Sequence, residues 1–275
     1  MGIRNLNRYL KTYCKGHIKS TKIDDYAGQT IVVDASIYMY KYKTDDKLLK
    51  NIEEMILLFE RSNVKLIFIF DGKPPPEKKQ TLENRKKNKT KSTEKYYKLK
   101  EKKILTEIEL KELQSLRRSI VKVTQLDRMN VKELLYKMKV SYYEADGEAD
   151  YACAKMVCDG ISSACLSDDM DLFVYGCNKV LREFDIEYGE MIEYDLTGIL
   201  RKLRMSIDDF KDICVLSGTD YNIETNKMYI KGAIKLFRKY KNNRVKISFY
   251  EWLERAKRIP YIENLVKIKQ MFLLS

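Results

Sequence analysis

Residues 31–71 read IVVDASIYMYKYKTDDKLLKNIEEMILLFERSNVKLIFIFD. Ile31-Val32-Val33-Asp34 has the character of a short buried strand that ends in an acid. Leu48, Leu49, Ile52, Met55, Ile56 and Phe59 then recur at helical spacing, which predicts an amphipathic helix over 47–61. Val64 to Phe70 is apolar apart from Lys65, the pattern of a parallel strand covered on both faces, and it too ends in an acid, Asp71-Gly72. Strand, helix and strand make a βαβ unit. Both acids fall at carboxyl ends of strands, where open α/β sheets place their sites.

Downstream the character changes. Residues 73–103 hold thirteen Lys/Arg against four Glu, and after Pro74-Pro75-Pro76 a helical pattern runs from 94 to 138. We read 73–139 as a basic helical insertion rising from the sheet beside Asp71. A solvated, partly disordered linker is the alternative, and the two are compatible if the segment orders on a polyanion. The α/β pattern resumes at Val140 with VSYY. A helix follows over 147–158, then strands near 163–166, 179–184 and 190–194, and 195–275 is mainly helical and basic. The predicted fold class is therefore α/β, with a mostly parallel central sheet flanked by helices. The predicted divisions are 1–72 and 140–216 as two halves of one core, 73–139 as the insertion and 217–275 as a helical region.

Composition narrows the function. Of 275 residues, 53 are Lys or Arg and 40 are Asp or Glu, a net charge of +13, and the apolar fraction of 44% is ample for a core. A folded chain this basic is expected to meet a nucleic acid. Six cysteines without C-x-x-C spacing read as reduced, mostly buried thiols of an intracellular protein, and they argue against a zinc site. A single histidine, His17, argues against Ser-His-Asp and Cys-His catalysis. The N-terminus MGIRNLNRYLK lacks the apolar stretch of a signal peptide, and no segment has the length of a membrane span.

Acids recur at predicted strand ends and helix starts: Asp34, Asp71, Glu148 with Asp150, Asp169 with Asp171, and Asp220. In a parallel sheet these points converge on one rim. Seven neighbouring carboxylates repel unless a cation neutralises them, and Mg²⁺, which prefers oxygen ligands and retains much of its water, suits them. Two such ions can clamp a phosphodiester, activating water and stabilising the leaving oxygen. Taken singly, Glu148 and Asp150 serve a helix N-terminus equally well, Asp71-Gly72 an ordinary turn, and Asp34 a structural cap.

Six blocks in order resemble the flap endonuclease family of structure-specific 5′ nucleases: MGIRNL at the start, Val33-Asp34-Ala35-Ser36, FDGKPP from Phe70, GEADYACA from Gly147, SDDMD from Ser167 and SGTDY from Ser217. The similarity spans roughly residues 1–240. It implies a PIN-like nuclease core with a basic helical arch, two Mg²⁺ ions for which Mn²⁺ can substitute, and a metal site of Asp34, Asp71, Glu148, Asp150, Asp169, Asp171 and Asp220. Asp150 is shorter than the family's usual Glu at that position. By the same resemblance Lys78 and Arg85 steer the scissile phosphate, and Tyr40 stacks on an unpaired base, with Tyr38 as competitor. DNA contacts are implied at Gly2 and Gly218, and Lys227 and Lys231 are expected to contact DNA where the chain departs from the family.

Two departures stand out. The family's Gly-x-Gly hairpin after the SGTDY block is replaced by Asn226-Lys227-Met228-Tyr229-Ile230-Lys231-Gly232-Ala233, with lysines in place of backbone approach to phosphate. The end of the chain, Gln270-Met271-Phe272-Leu273-Leu274, is a faint echo of a sliding-clamp motif, so clamp binding is not expected. The implied function is hydrolysis of 5′ flaps or branched DNA in replication, repair or recombination, by a monomer away from membranes, in a nucleus or at a viral replication site. The alternatives are a nuclease of the same fold acting on RNA, nicks or four-way junctions, or a non-catalytic nucleic-acid-binding protein.

Overall fold

The computed structural model describes residues 2–102, 104–222, 228–243, 246–256 and 262–274. Its centre is a seven-stranded sheet of β1 (Ile18–Lys22), β2 (Thr30–Asp34), β3 (Lys65–Phe70), β4 (Ser141–Glu144), β5 (Ala164–Leu166), β6 (Lys179–Asp185) and β7 (Glu190–Asp195), in the order β1-β7-β6-β5-β2-β3-β4. The run from β6 to β4 is parallel throughout, and β7 is antiparallel to both of its neighbours. The predicted α/β class and parallel core therefore hold. Strand β1 escaped the sequence reading because IKSTK is a polar edge strand with one buried residue, Thr21, and lacks an apolar pattern.

Two apolar layers cover the sheet, and the two-residue side-chain period of each strand assigns them. In β2, Val32 points into one layer while Ile31 and Val33 point into the other; in β3, Ile69 opposes Leu66, Phe68 and Phe70 in the same way. One layer is completed by α2 (Ala35–Thr44), α3 (Leu48–Arg61) and a later helix of the insertion. The helix predicted over 47–61 is thus found within one residue, burying Leu48, Ile52, Met55, Ile56 and Phe59. The opposite layer takes α1 (Leu6–Tyr13) and the helices that follow the insertion.

The insertion forms three helices, α4 (Lys79–Lys100), α5 (Glu107–Ile120) and α6 (Gln125–Lys137), where the sequence suggested a continuous pattern from 94 to 138. Helix α4 begins far earlier than that pattern because it buries only Thr81, so it carries no apolar periodicity to read. The breaks are set by capping boxes. Thr106 pairs reciprocally with Glu109 and Thr124 with Asp127, so both helices restart on an N-cap. Helices α4 and α5 pack as a hairpin, and α6 returns to the sheet through Val131 and Leu135. The remaining helices are α7 (Ala149–Cys158), α8 (Asp171–Tyr175), α9 (Leu196–Leu203), α10 (Ile207–Ser217), α11 (Ile230–Asn242), α12 (Phe249–Arg255) and α13 (Ile262–Met271). All six cysteines are free and all but Cys158 are buried. Among the described residues no helix is long and apolar enough to cross a membrane.

Candidate active site

The carboxyl ends of the parallel strands deliver the acids to one rim. Asp34 is the last residue of β2 and also the N-cap of α2, accepting from the Ile37 amide at 3.4 Å with Oδ1. Its other oxygen accepts from Ser167 Oγ at 3.0 Å, and the same hydroxyl accepts from the Asp169 amide at 3.1 Å. Asp169 Oδ1 accepts from the Asp171 amide, again at 3.1 Å. Ser167 thus knits β2 to the loop after β5. Asp71, just beyond β3, accepts from the Ala149 amide at 2.8 Å and from Ser36 Oγ at 2.5 Å, which docks the start of α7 against the end of β3. Gly72 is required there: a Cβ would lie 1.9 Å from the Ala145 carbonyl oxygen.

Glu148 occupies the N-cap position of α7 but makes no capping hydrogen bond. Its carboxylate instead accepts from Lys78 Nζ and from the Tyr221 hydroxyl. Asp220 accepts from Arg85, and Lys78 Nζ lies 3.7 Å from it. The basic insertion therefore closes onto the acid rim through the two bases that the sequence singled out. Lys78 ends a short 3₁₀ turn directly before α4, and Arg85 lies on α4 itself.

Burial, and then repulsion from neighbouring acids, shifts three of the acids upward. Burial raises the Asp34 carboxyl to about 7, aided by Asp71 and Asp169 and opposed by the Ser167 hydrogen bond. Burial also holds Asp150 well above the usual carboxylate range, with Glu148 and Asp169 adding to it. Asp171 is raised in the same way, by burial and then by Asp169, Asp150 and Asp220. For Lys78 burial works against the charge, but Glu148, Asp220 and Asp150 outweigh it and raise the ammonium above its ordinary value.

Among the described residues no three of these acids converge as a ready ion cage. Lys78 and Arg85 supply the positive charge beside Glu148 and Asp220 instead. The donor set nevertheless fits a hard divalent cation. It is all oxygen, and Asp171 Oδ1 is buried without a hydrogen-bond partner. Gly2 (φ 75°) lies against it, where a Cβ would stand 2.5 Å from both Asp169 Oδ1 and Asp171 Oδ1.

A cleft of about 690 Å³ opens in front of this rim, walled by α2 on one side and by α4 and α5 on the other. Tyr40 is half exposed on its wall, whereas Tyr38 is fully buried against Phe184. Gly218 (φ 105°) lies beside Arg4, and Lys231, at the start of α11, has Nζ 5.6 Å from the Tyr13 ring centroid. Neither residue lines the cleft. Lys227 lies outside the described residues. Sequence reasoning missed Ser36, Ser167, Tyr221 and Arg128, which donates to the Asp71 carbonyl at 2.7 Å. The first three sit inside the quoted blocks, so proximity to an acid was the available signal. Arg128 had none.

Two family models and several known proteins match the chain. The XPG N-terminal domain matches residues 1–92 and the XPG I-region residues 139–220. Flap endonuclease 1 of Entamoeba histolytica is 32% identical over 267 residues, an alignment covering 88% of this chain and 68% of that protein. The chain belongs to the flap endonuclease family. The family's Caenorhabditis elegans flap endonuclease 1 is 29% identical over 261 residues, covering 88% of this chain and 67% of that one. Among solved structures, flap endonuclease-1 from Methanococcus jannaschii superposes with a TM-score of 0.66 at 23% identity, covering 94% of this chain and 82% of its own. The catalytic core of Rad2 in complex with DNA substrate gives a TM-score of 0.66 at 18% identity, covering 98% and 79%. The first family region ends inside α4 and the second begins just before β4, so the rest of α4 and all of α5 and α6 lie between them.

Proposed function

We propose that this flap endonuclease family member is a structure-specific nuclease that hydrolyses phosphodiester bonds of DNA at 5′ flaps or branched junctions, and that it does so with divalent metal ions, Mg²⁺ foremost. One observation carries the reading: a single cleft has buried carboxylates along its floor and the basic arch as its wall, joined by Lys78 and Arg85. A phosphodiester bound beside metal-loaded acids needs both halves. The roles of the individual residues, and the division into core halves 1–72 and 140–216, arch 73–139 and helical region 217–275, are part of this proposal.

Divalent ions bound by the rim acids supply charge neutralisation and a more acidic water. The chain's residues do the rest. Asp34, Asp71 and Asp169 are oriented by Ser167, Ser36 and backbone amides, so their oxygens need little rearrangement to serve as ligands. Lys78, held charged by its acidic neighbours, exchanges Glu148 for a phosphate oxygen, and Arg85 exchanges Asp220 in the same way. Tyr40 offers a ring to an unpaired base at the cleft wall, a contact that is indifferent to base identity.

The test is cleavage of a 5′-labelled flap duplex with Mg²⁺, with Mn²⁺ and with chelator. Cutting near the junction only with metal is the expected result. An Asp169→Ala, Asp171→Ala double variant that cuts at the unaltered rate refutes the site. Faster cutting of single-stranded RNA, nicked duplex or a four-way junction in the same panel reassigns the substrate.

A further inference from the structure

The chain's last segment, Gln270 to Leu274, has no part in the chemistry derived so far. The structure buries its middle residue, while Gln270 and Leu273 are exposed. Phe272 is completely inaccessible. Its carbonyl accepts from the buried Lys211 Nζ of α10 at 3.0 Å, and one helical turn earlier Lys269 pairs with Asp212 at 2.7 Å. Two lysine contacts thus fasten the end of α13 to α10, the helix that leads into Asp220. The phenyl ring meets Tyr221 edge-on, with centroids 5.6 Å apart at 72°, and Tyr175 at 4.9 Å. Tyr175 in turn packs edge-on against Tyr151 of α7, at 5.7 Å.

Tyr221 connects this aromatic group to the acids. Its hydroxyl donates to Glu148 Oε2 while Lys78 donates to Oε1, and the Lys78 ammonium lies 5.9 Å from the Tyr221 ring centroid. When Lys78 leaves Glu148 for a phosphate, Tyr221 is the side chain that still holds that carboxylate. A tyrosine held at one edge by a close-packed ring keeps its hydroxyl in one place; with that ring removed, the hydroxyl swings and the carboxylate it holds swings too.

We propose that Phe272 is a positioning residue of the active site, acting through Tyr221 to hold Glu148 in the orientation that receives a divalent ion. The inference rests on the metal-dependent nuclease reading above. In this role the Phe272 ring is a built-in support of the site.

The experiment compares the 275-residue chain with Tyr221→Phe, Phe272→Leu and the double variant, because Phe272→Ala empties a fully buried ring site and risks unfolding. Mn²⁺ binding is followed without DNA, by the electron paramagnetic resonance signal of the free ion. Flap cleavage is then measured across a Mg²⁺ titration, with circular dichroism to certify the fold. Each single variant is expected to weaken Mn²⁺ binding at least threefold and to raise the half-activating Mg²⁺ concentration by a similar factor. KM for flap DNA at saturating Mg²⁺ stays within twofold, and the double variant is no worse than Tyr221→Phe alone. A folded Phe272→Leu protein with the wild-type Mn²⁺ affinity overturns the inference, as does a double variant whose losses multiply. Wild-type protein that neither binds Mn²⁺ nor cuts DNA refutes the nuclease reading instead, so the two failures are separable.

Discussion

Asp171 is buried at 2% exposure with one oxygen lacking any hydrogen-bond partner, and three other acids bear on it. Such a group costs the metal-free fold about 1–3 kcal/mol. Asp171→Asn removes the charge at constant shape. It is expected to raise the metal-free melting temperature by about 3–6 °C while abolishing flap cleavage, with calorimetry and the cleavage assay as the two readouts. The same acids give stability a definite pH dependence. Asp34 in the fold titrates at about 7, against about 3.9 for an unfolded aspartate. Between about pH 4 and pH 7 the folded state therefore binds more protons than the unfolded one, and stability falls as pH rises through that window. Thermal melts in chelator should show the melting temperature climbing as pH drops from about 7 to about 5, and millimolar Mg²⁺ should flatten the slope. A melting temperature that falls over the same interval would show that the rim acids do not repel one another as described.

At the scale of elements, α4 and α5 bury little of themselves. Helix α5 buries none of its residues, and α4 buries only Thr81. Their boundaries depend on caps, so Thr106→Ala should cost about 0.5–2 kcal/mol, felt locally. Amide exchange at 107–110 is expected to accelerate while the global melt hardly moves, since no core packing depends on α5. Unchanged exchange there would mean that packing against α4, and not the Thr106–Glu109 box, holds the turn. The reading of 94–138 as one helical pattern passed over both caps, although the sequence carries them as Thr-x-x-Glu and Thr-x-x-Asp; it also missed the start of α4, because a helix that is polar on every side leaves no periodic trace.

At the scale of the whole molecule, charge is segregated. Acids line one side of the cleft while α4 and α5 carry Arg85, Lys89 and Arg118 into it. Binding of a 5′-tailed duplex should weaken linearly in log salt, each phosphate contact to a single strand contributing about −0.7 to the slope. An Arg85→Ala, Lys89→Ala, Arg118→Ala variant is expected to lower that slope by about 2 in fluorescence anisotropy titrations; an unaltered slope would place the tail outside the arch.

What the sequence determined is local: strands ending in Asp34 and Asp71, the helix over 47–61, the basic character of the insertion, and the family resemblance in six blocks. Each is written within a window of some ten residues, where side-chain period, caps and motif spacing act. Tertiary structure decided the rest. The order β6-β5-β2-β3-β4 is what brings acids from four separate stretches to one rim, and that order comes from pairing strands far apart in the chain. Only packing distinguishes Tyr40 on the cleft wall from Tyr38 in the core, two residues apart on one helix. Packing likewise put Phe272, in a segment that only faintly echoed a terminal motif, in the core against Tyr221. Burial depends on what arrives from elsewhere in the chain, and a short window of sequence does not carry that information.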